Sequence, residues 1–219
     1  MKKQLIYKEN FISSDQVNEI RTYFDKINDS LKASSGPFDT PDHYLGWSGT
    51  WSRQLHFELP DNPIHLIVDK LKQEFGDFEC QPGKCSIEYL SSPFLPHTDI
   101  HSDEFLQELR ARGNPKVYIF LIPLWWKTGH TPVTGFFNSP PDLNEPLYSD
   151  MADIFPKYAP TKFDPSVNFS VRQIFPWKSP GDLIMWEGFQ WHSSGALGNI
   201  EYARDNWSKE FITLEVIAK

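Results

Sequence analysis

The chain of 219 residues contains little cysteine, since Cys80 and Cys85 are its only two. Two thiols do not make the disulfide framework of a small secreted domain, and the spacing Cys80-x4-Cys85 lacks the second pair of ligands that a zinc site requires. A disulfide-rich secreted domain and a zinc site formed by these cysteines are therefore excluded. We expect the two residues to be ordinary semi-buried thiols.

Long apolar runs are also missing. No segment approaches the roughly 18 apolar residues of a membrane span, and the apolar stretch that follows Lys2 and Lys3 is too short for the core of a signal peptide. The sequence therefore predicts a cytoplasmic protein without a membrane partner.

Basic residues are in the minority, with 21 Lys and Arg against 29 Asp and Glu, which gives a net charge of −8. Because nucleic-acid affinity rests mainly on a concentrated basic surface, these scattered cations disfavour a nucleic-acid partner. The expected substrate is a small molecule or a protein.

Glycine is sparse, with 12 residues, whereas proline and aromatic residues are abundant, with 18 Pro and 15% Phe, Trp and Tyr. Many prolines between short apolar runs favour a β-rich architecture with long loops over a helical bundle. The length and the 39% of hydrophobic residues suit one domain, 1–219, with a substantial core.

Helices are predicted mainly in the first third of the chain, where residues 13–76 form a helical support. Ser13 to Gln16 has the pattern of a capping box, in which Ser13 caps a helix and Gln16 reaches back to it. Asn62 and Pro63 begin a second helix that ends at Gly76. A third short helix is expected from Ser102 to Arg112.

Short apolar, β-branched runs separated by turns predict strands over 85–90, 117–124, 182–186 and 209–217. Residues 190–192 are expected to return antiparallel to the strand that ends at Trp186. Residues 138–180 are proline-rich and weakly periodic, and we interpret them as an insertion that frames a site. The fold predicted is mainly β with flanking helices, a sandwich or jelly roll with its core over about 85–217.

One motif stands out for its chemistry, Pro96-His97-Thr98-Asp99. Alternate residues of an extended segment share a face, so His97 and Asp99 point to the same side. With His192 from a distant strand they form two imidazoles and one carboxylate, the ligand set that holds iron(II) on one face and leaves other positions open. His101 is a weaker alternative, because Ser102 and Asp103 predict the start of a helix.

Together these features resemble the iron(II)/2-oxoglutarate-dependent dioxygenase superfamily. His97-Thr98-Asp99 follows a strand, His192 ends a Gly-Asp turn and apolar strand that begins at Gly181, and a basic residue opens the last strand. The strand, loop and capped helix from Ile6 to Ile27 and the placement of Tyr89 resemble the prolyl 4-hydroxylase-like branch. The resemblance covers most of residues 85–217 and implies a double-stranded β-helix.

The resemblance also implies a reaction. His97, Asp99 and His192 would be the metal ligands and catalytic centre, with 2-oxoglutarate and O2 as cosubstrates and ascorbate as an accessory reductant. The expected activity is hydroxylation of a C–H bond in a protein side chain or a small molecule. An aspartate at position 99 favours hydroxylation, since halogenating relatives carry a small residue there.

A fixed cation is expected for the distal carboxylate of 2-oxoglutarate, because a buried carboxylate is costly without a partner. In the family it comes from the start of the last strand, which favours Lys209, with Arg204 as the alternative. Hydroxyl donors to the cosubstrate are expected from Tyr89, Tyr118 or Thr134.

Two other functions fit parts of the pattern. A non-catalytic or differently metallated jelly-roll binding protein would keep the fold with a degraded cosubstrate site. A zinc hydrolase would need a general base beside the metal, for which Glu187 is the only candidate in the surrounding sequence.

Overall fold

Two antiparallel sheets carry most of the fold in the computed structural model, which describes residues 4–31, 51–90, 94–100, 103–127, 132–137, 171–194 and 208–219. The elements are, in chain order, β1 (Leu5–Lys8), α1 (Ser14–Leu31), β2 (Trp51–Gln54), α2 (Ile64–Phe75), β3 (Phe78–Leu90), β4 (Phe94–His97), α3 (Asp103–Ala111), β5 (Val117–Trp126), β6 (Val133–Phe137), β7 (Val171–Pro176), β8 (Leu183–Glu187), β9 (His192–Ser194) and β10 (Lys209–Ala218).

The larger sheet has six strands in the order β1-β8-β5-β10-β3-β2, and the smaller has four in the order β4-β9-β6-β7. Every recorded strand pair is antiparallel. The mainly β fold with flanking helices, a jelly roll, is therefore confirmed. The predicted return of residues 190–192 beside β8 is wrong, because β8 lies in the large sheet and β9 in the small one. The chain crosses between the sheets after Glu187.

Alternation along the strands gives the large sheet two different faces. One face packs against α1 and α2 and forms what we call the outer core. Its members include Val17, Ile20, Phe24, Ile64, Ile67, Leu71, Cys85, Ile87, Phe120, Ile122, Leu214 and Val216. The other face meets the small sheet and forms the inner core, made of Ile119, Leu121, Phe136, Trp177, Ile184, Trp186 and Phe211.

The predicted start of α1 is confirmed, and α2 begins one residue later than predicted, at Ile64, with Pro63 as its N-cap residue. The Ser13 amide donates to Gln16 Oε1 at 2.9 Å and the Gln16 amide donates to Ser13 Oγ at 3.2 Å, the reciprocal pair of a capping box. The Ile64 amide donates to Asn62 Oδ1 at 3.1 Å. Gly76 ends α2 with a φ of 90°, a conformation that glycine adopts without strain.

The range predicted as an insertion, 138–180, contains β7 at its carboxyl end. Residues 171–176 therefore belong to the small sheet, where β7 pairs with β6. Residues 138–170 lie outside the described residues, so framing of a site by this segment stays a prediction. None of the helices in the described segments is both long and apolar enough to cross a membrane.

Candidate metal centre

His192 opens β9, with only 4% of its surface exposed. Its ring lies 4.7 Å from the Trp186 ring, centroid to centroid, and its Nδ1 lies 3.0 Å from the Gln190 carbonyl oxygen. A carbonyl only accepts hydrogen bonds, so Nδ1 carries the proton and Nε2 keeps a lone pair. Burial lowers the pKa of His192 to about 4, so at neutral pH the ring is an uncharged ligand.

Asp99 follows the last residue of β4 in a bend rather than in an extended strand. The Thr98 hydroxyl, which donates to the Ile100 carbonyl at 3.1 Å, holds this bend. Trp186 Nε1 donates to Asp99 Oδ2 at 3.0 Å and so fixes the carboxylate. The extended segment therefore ends at His97 and, contrary to the prediction, does not include Asp99. The Asp99 carboxylate nevertheless contacts Trp186 of the inner core.

Asp99 Oδ2 and His192 Nε2 lie 3.7 Å apart. Both atoms carry lone pairs, and the His192 side chain is 5% exposed and the Asp99 side chain 19% exposed. One imidazole nitrogen and one carboxylate oxygen are donors that divalent iron accepts, so this pair fits a metal ion.

His97, the third predicted ligand, is described at the level of its backbone. Its Cα is paired with that of His192 across β4 and β9, and His192 is paired in turn with Phe136 of β6. Directly paired residues share a face of a sheet, so position 97 is on the interior face with His192. Among the described side chains no group of three or more His, Cys, Asp and Glu forms a metal cluster.

Lys209 opens β10 and is fully buried on the inner face of the large sheet. Its Nζ lies 4.2 Å from the centroid of the Trp177 ring and 4.8 Å from that of Phe211. Burial lowers the pKa of Lys209 well below its usual value, and the charge of Glu88 acts in the opposite direction. A carboxylate brought to this position would favour the ammonium form.

Thr134 is buried on β6 and accepts a hydrogen bond from Trp177 Nε1 at 3.0 Å. Trp177 therefore contacts Thr134 with its indole nitrogen and Lys209 with its ring. Because the Thr134 oxygen is the acceptor in this bond, its own proton remains a donor. Two residues predicted to bind the cosubstrate thus meet around one tryptophan.

The other two hydroxyl candidates lie on the opposite face of the large sheet. Tyr118 packs against the outer core, opposite Val216 of β10. Tyr89 is paired with Glu210, whose carboxylate accepts from Arg21 of α1 at 3.0 Å. Strand alternation turns both positions toward the helices and away from Lys209 and Thr134, so the structure does not bring these four predicted cosubstrate residues together. Arg204 lies outside the described residues.

Glu187, the base that a zinc hydrolase would need, is paired with Tyr118. It therefore lies on the face of β8 that is turned away from Trp186 and the Asp99 carboxylate. Glu187 is therefore not placed to act as the general base of a zinc hydrolase at this site.

Glu88 and Glu215 lie on the inner face of the large sheet and were not predicted from the sequence, because a glutamate in a strand is usually solvent-exposed. Burial raises the pKa of Glu88, and the nearby charge of Asp99 raises it further. The Ser86 hydroxyl donates to the Glu88 carboxylate at 3.0 Å and lowers its pKa. Burial also raises the pKa of Glu215 to about 7. Two carboxyl groups with raised pKa values therefore lie on the inner face of the large sheet, and the charge of Asp99 contributes to both shifts.

Trp186 and Gln190 also escaped sequence reasoning, although both contact the predicted ligands. Trp186 lies on the inner face because it shares the alternation of Ile184 in β8. Its contact with Asp99 depends on a bend that is distant in sequence, so no pattern near Trp186 predicts this contact.

No protein-family model matches the sequence, and no curated protein matches it. Solved structures do resemble it. The non-haem alpha-ketoglutarate-dependent carbocyclase SnoK from nogalamycin biosynthesis has a TM-score of 0.59 at 11% identity, over 99% of this chain and 80% of that one. A Pseudomonas putida prolyl-4-hydroxylase has a TM-score of 0.54 at 10% identity, over 100% of this chain and 94% of that one.

The non-haem alpha-ketoglutarate-dependent epimerase SnoN from nogalamycin biosynthesis has a TM-score of 0.53 at 13% identity, over 99% of this chain and 79% of that one. SnoN has also been crystallised with Fe3+, alpha-ketoglutarate and nogalamycin RO. The predicted resemblance is thus confirmed for the fold: this chain has the jelly-roll fold of the iron- and 2-oxoglutarate-dependent oxygenases.

Proposed function

We propose that this protein is an iron(II)/2-oxoglutarate-dependent oxygenase that hydroxylates a C–H bond. The observation that carries the proposal is the Asp99–His192 pair, whose carboxylate oxygen and imidazole nitrogen, both of a kind that binds iron(II), lie 3.7 Å apart. His97, whose Cα is paired with that of His192, would supply the second imidazole of the ligand set. In this arrangement His97, Asp99 and His192 would hold iron(II).

Bound iron(II), together with 2-oxoglutarate and O2, supplies the oxidising chemistry of such an enzyme. The protein's own residues orient and protect it. The Gln190 carbonyl holds the His192 ring in the tautomer that offers Nε2, and the Trp186 indole holds Asp99 Oδ2. Phe136 and Trp186, both buried, exclude water from the same side.

Lys209 is the proposed anchor of the distal carboxylate of 2-oxoglutarate. Its buried ammonium has a lowered pKa that a bound carboxylate would raise again, and Thr134 beside it can donate a second hydrogen bond. Arg204 remains the alternative cation. Ascorbate would act only as a reductant of the iron.

The proposed substrate is a protein side chain or a small molecule. Similar folds support both choices, since one neighbour is a prolyl-4-hydroxylase and two act in nogalamycin biosynthesis as a carbocyclase and an epimerase. Hydroxylation is the reaction proposed here because an aspartate, rather than a small residue, occupies position 99.

The test is succinate release and O2 uptake by the purified protein with iron(II) and 2-oxoglutarate, first without substrate and then with a substrate panel. Asp99→Ala and His192→Ala should abolish both signals, because each removes a ligand. Asp69→Ala, an exposed aspartate on α2, is the matched control and should keep them. Wild-type turnover in either ligand variant would show that the metal site is misassigned.

The alternative is a jelly-roll binding protein with no turnover or with another metal. Glu88 favours this alternative. Its negative charge already raises the pKa of Lys209, which is the effect that the distal carboxylate of 2-oxoglutarate would have. Calorimetry with 2-oxoglutarate separates the two: absence of binding, together with absence of uncoupled decarboxylation, would reject the oxygenase.

A further inference from the structure

The two cysteines of the chain lie side by side on β3. Cys85 is paired with Leu214 of β10 and Cys80 with Val216, so a single residue of β10 separates the two pairing positions. Residues 81–84 between the cysteines leave the ladder, and Gly83 takes a φ of 73° there. Both side chains pack into the outer core.

The spacing suits a covalent bond between the two sulfurs. Positions two residues apart along a strand are separated by about 6.6 Å between Cα atoms, and disulfides span roughly 4.4–6.8 Å. Both cysteines are free thiols, and each shifts the pKa of the other, downward for Cys80 and upward for Cys85.

The two thiols differ in reactivity. The hydrogen bond from Cys85 lowers the pKa of Cys80, and the ammonium group of Lys72 on α2 lowers it further, although burial opposes both. The same hydrogen bond and burial raise the pKa of Cys85, which is 2% exposed. Cys80 is half-buried and accessible. Cys80 is therefore the nucleophile and Cys85 the protonated neighbour.

We propose that Cys80 and Cys85 form a reversible dithiol–disulfide site whose oxidant is a peroxide. The Cys80 thiolate attacks one peroxide oxygen, the O–O bond breaks, and Cys80 becomes a sulfenic acid while water leaves. The Cys85 sulfur then attacks the Cys80 sulfur, and its proton leaves with the hydroxyl group as a second water. The two thiols lose two electrons, and one hydrogen peroxide becomes two waters.

The site is independent of the proposed oxygenase activity, because it lies on the helix-facing side of the large sheet. Oxidation would close residues 81–84 into a covalent loop on β3, beside the Glu215 carbonyl oxygen, which lies 3.6 Å from Cys85 Sγ. A low-molecular-weight thiol would reverse the reaction by exchange.

The test exposes the reduced full-length protein to hydrogen peroxide with a metal chelator present, followed by alkylation and trypsin. Trypsin cuts after Lys72, Lys84 and Arg110, so the cysteines fall in separate peptides, 73–84 and 85–110. The expected product is one cross-link between these peptides, within a monomer, that dithiothreitol removes. Thiols that stay fully alkylatable, or a cross-link between two chains, would overturn the proposal.

Single variants test the order of the two steps. Cys85→Ser should accumulate a Cys80 sulfenic acid that dimedone traps, whereas Cys80→Ser should slow peroxide consumption by the remaining thiol roughly tenfold or more. Lys72→Gln should slow the labelling of Cys80 by about threefold. Equal dimedone labelling of Cys85 in Cys80→Ser would reject Cys80 as the nucleophile. Unchanged thermal unfolding of each variant shows that the fold is intact.

Discussion

At the scale of single residues, the candidate site depends on a few side chains that hold the proposed metal ligands in place. Trp186 is the clearest of them, because its indole both donates to Asp99 Oδ2 and lies against the His192 ring. Without that donor the carboxylate could rotate away from Nε2. Partners of this kind commonly change metal affinity by about 10–100-fold.

Trp186→Phe should therefore weaken iron(II) binding about tenfold while most of the buried ring surface remains. Anaerobic titration with iron(II) measures the affinity. Trp177→Phe is the matched control, since Trp177 is an equally buried tryptophan that contacts Lys209 and Thr134 instead. That variant should leave the iron affinity unchanged and weaken the binding of 2-oxoglutarate. Equal iron affinity in wild type and Trp186→Phe would contradict the role of the indole.

A second residue-scale prediction concerns Glu215, whose pKa burial raises from 4.5 to about 7. The folded protein holds this proton more tightly than the unfolded chain, so the stability contributed by Glu215 is present below pH 4.5. It is lost as the pH rises to about 7, by on the order of 3 kcal/mol. Glu215→Gln should therefore unfold at higher denaturant concentration than wild type at pH 8, and with no such advantage at pH 4.

Glu19→Gln, at an exposed position of α1, is the control for this change and should keep the wild-type pH dependence. The comparison is made between variant and wild type, because the lowered pKa of His192 gives a slope of opposite sign in both proteins. If the free energy of unfolding of Glu215→Gln runs parallel to that of wild type from pH 4 to pH 8, the pKa of Glu215 is not raised by burial.

The sequence predicted Asp99, His192, Lys209 and Thr134 from local patterns, namely a short motif, a turn and strand, or the start of a strand, and the structure places all four on the inner side of the large sheet. Tyr118 and Tyr89 lie on the other face, which depends on the register of neighbouring strands. The sequence missed Trp186, whose partner Asp99 lies 87 positions away. Contacts that depend on register or on a distant bend leave no local pattern.

At the scale of elements, the turn before β8 fixes the position of the strand that carries Trp186. The Gly181 amide donates to the Pro123 carbonyl at 2.7 Å, and the Gly181 carbonyl accepts from the Ile12 amide at 2.9 Å. Gly181 has a φ of 89°, and a Cβ at this position would collide with the Ile12 carbonyl oxygen. Two effects, the backbone conformation and the close approach, therefore require glycine here.

Gly181→Ala should lower the free energy of unfolding by about 3 kcal/mol or more, of which the left-handed conformation accounts for about 1–2 kcal/mol. Gly76→Ala is the matched control, since Gly76 has a φ of 90° and nothing within 4 Å of the added Cβ. Its loss should be limited to the conformational part. Urea unfolding of both variants measures the difference, and equal losses would contradict a steric requirement at Gly181.

Helices and their ends were the elements that the sequence predicted best, because caps such as Ser13 and Gln16 act within one turn. The path after β8 was predicted wrongly. A short loop after Glu187 looks like a hairpin in sequence, but the chain there passes Gly188, where a Cβ would collide with Ile100, and enters the other sheet. Which sheet a strand joins is decided by packing across the core.

At the scale of the whole molecule, the candidate site joins parts of the chain that are far apart in sequence. Asp99 follows β4, His192 opens β9 and Lys209 opens β10. A ligand that binds only when these strands are assembled stabilises the folded state by mass action.

Iron(II) and 2-oxoglutarate together should therefore raise the melting temperature under anaerobic conditions. At 100 times the dissociation constant the gain is about 2.7 kcal/mol, or roughly 5–10 °C for a protein of this size. His192→Ala should lose the shift with iron(II), whereas Lys209→Met should keep the iron shift and lose the further shift with 2-oxoglutarate. A full response in both variants would argue against the proposed ligands.

The order of the large sheet has a further consequence for how the protein is made. β10 follows every other described strand in the chain, yet it lies in the middle of the sheet, between β5 and β3. Until β10 has been translated and has left the exit tunnel of the ribosome, β5 and β3 have no strand to join them, and their facing edges stay exposed in the nascent chain. The candidate site, which includes Lys209 of β10, therefore forms only after this strand has been translated.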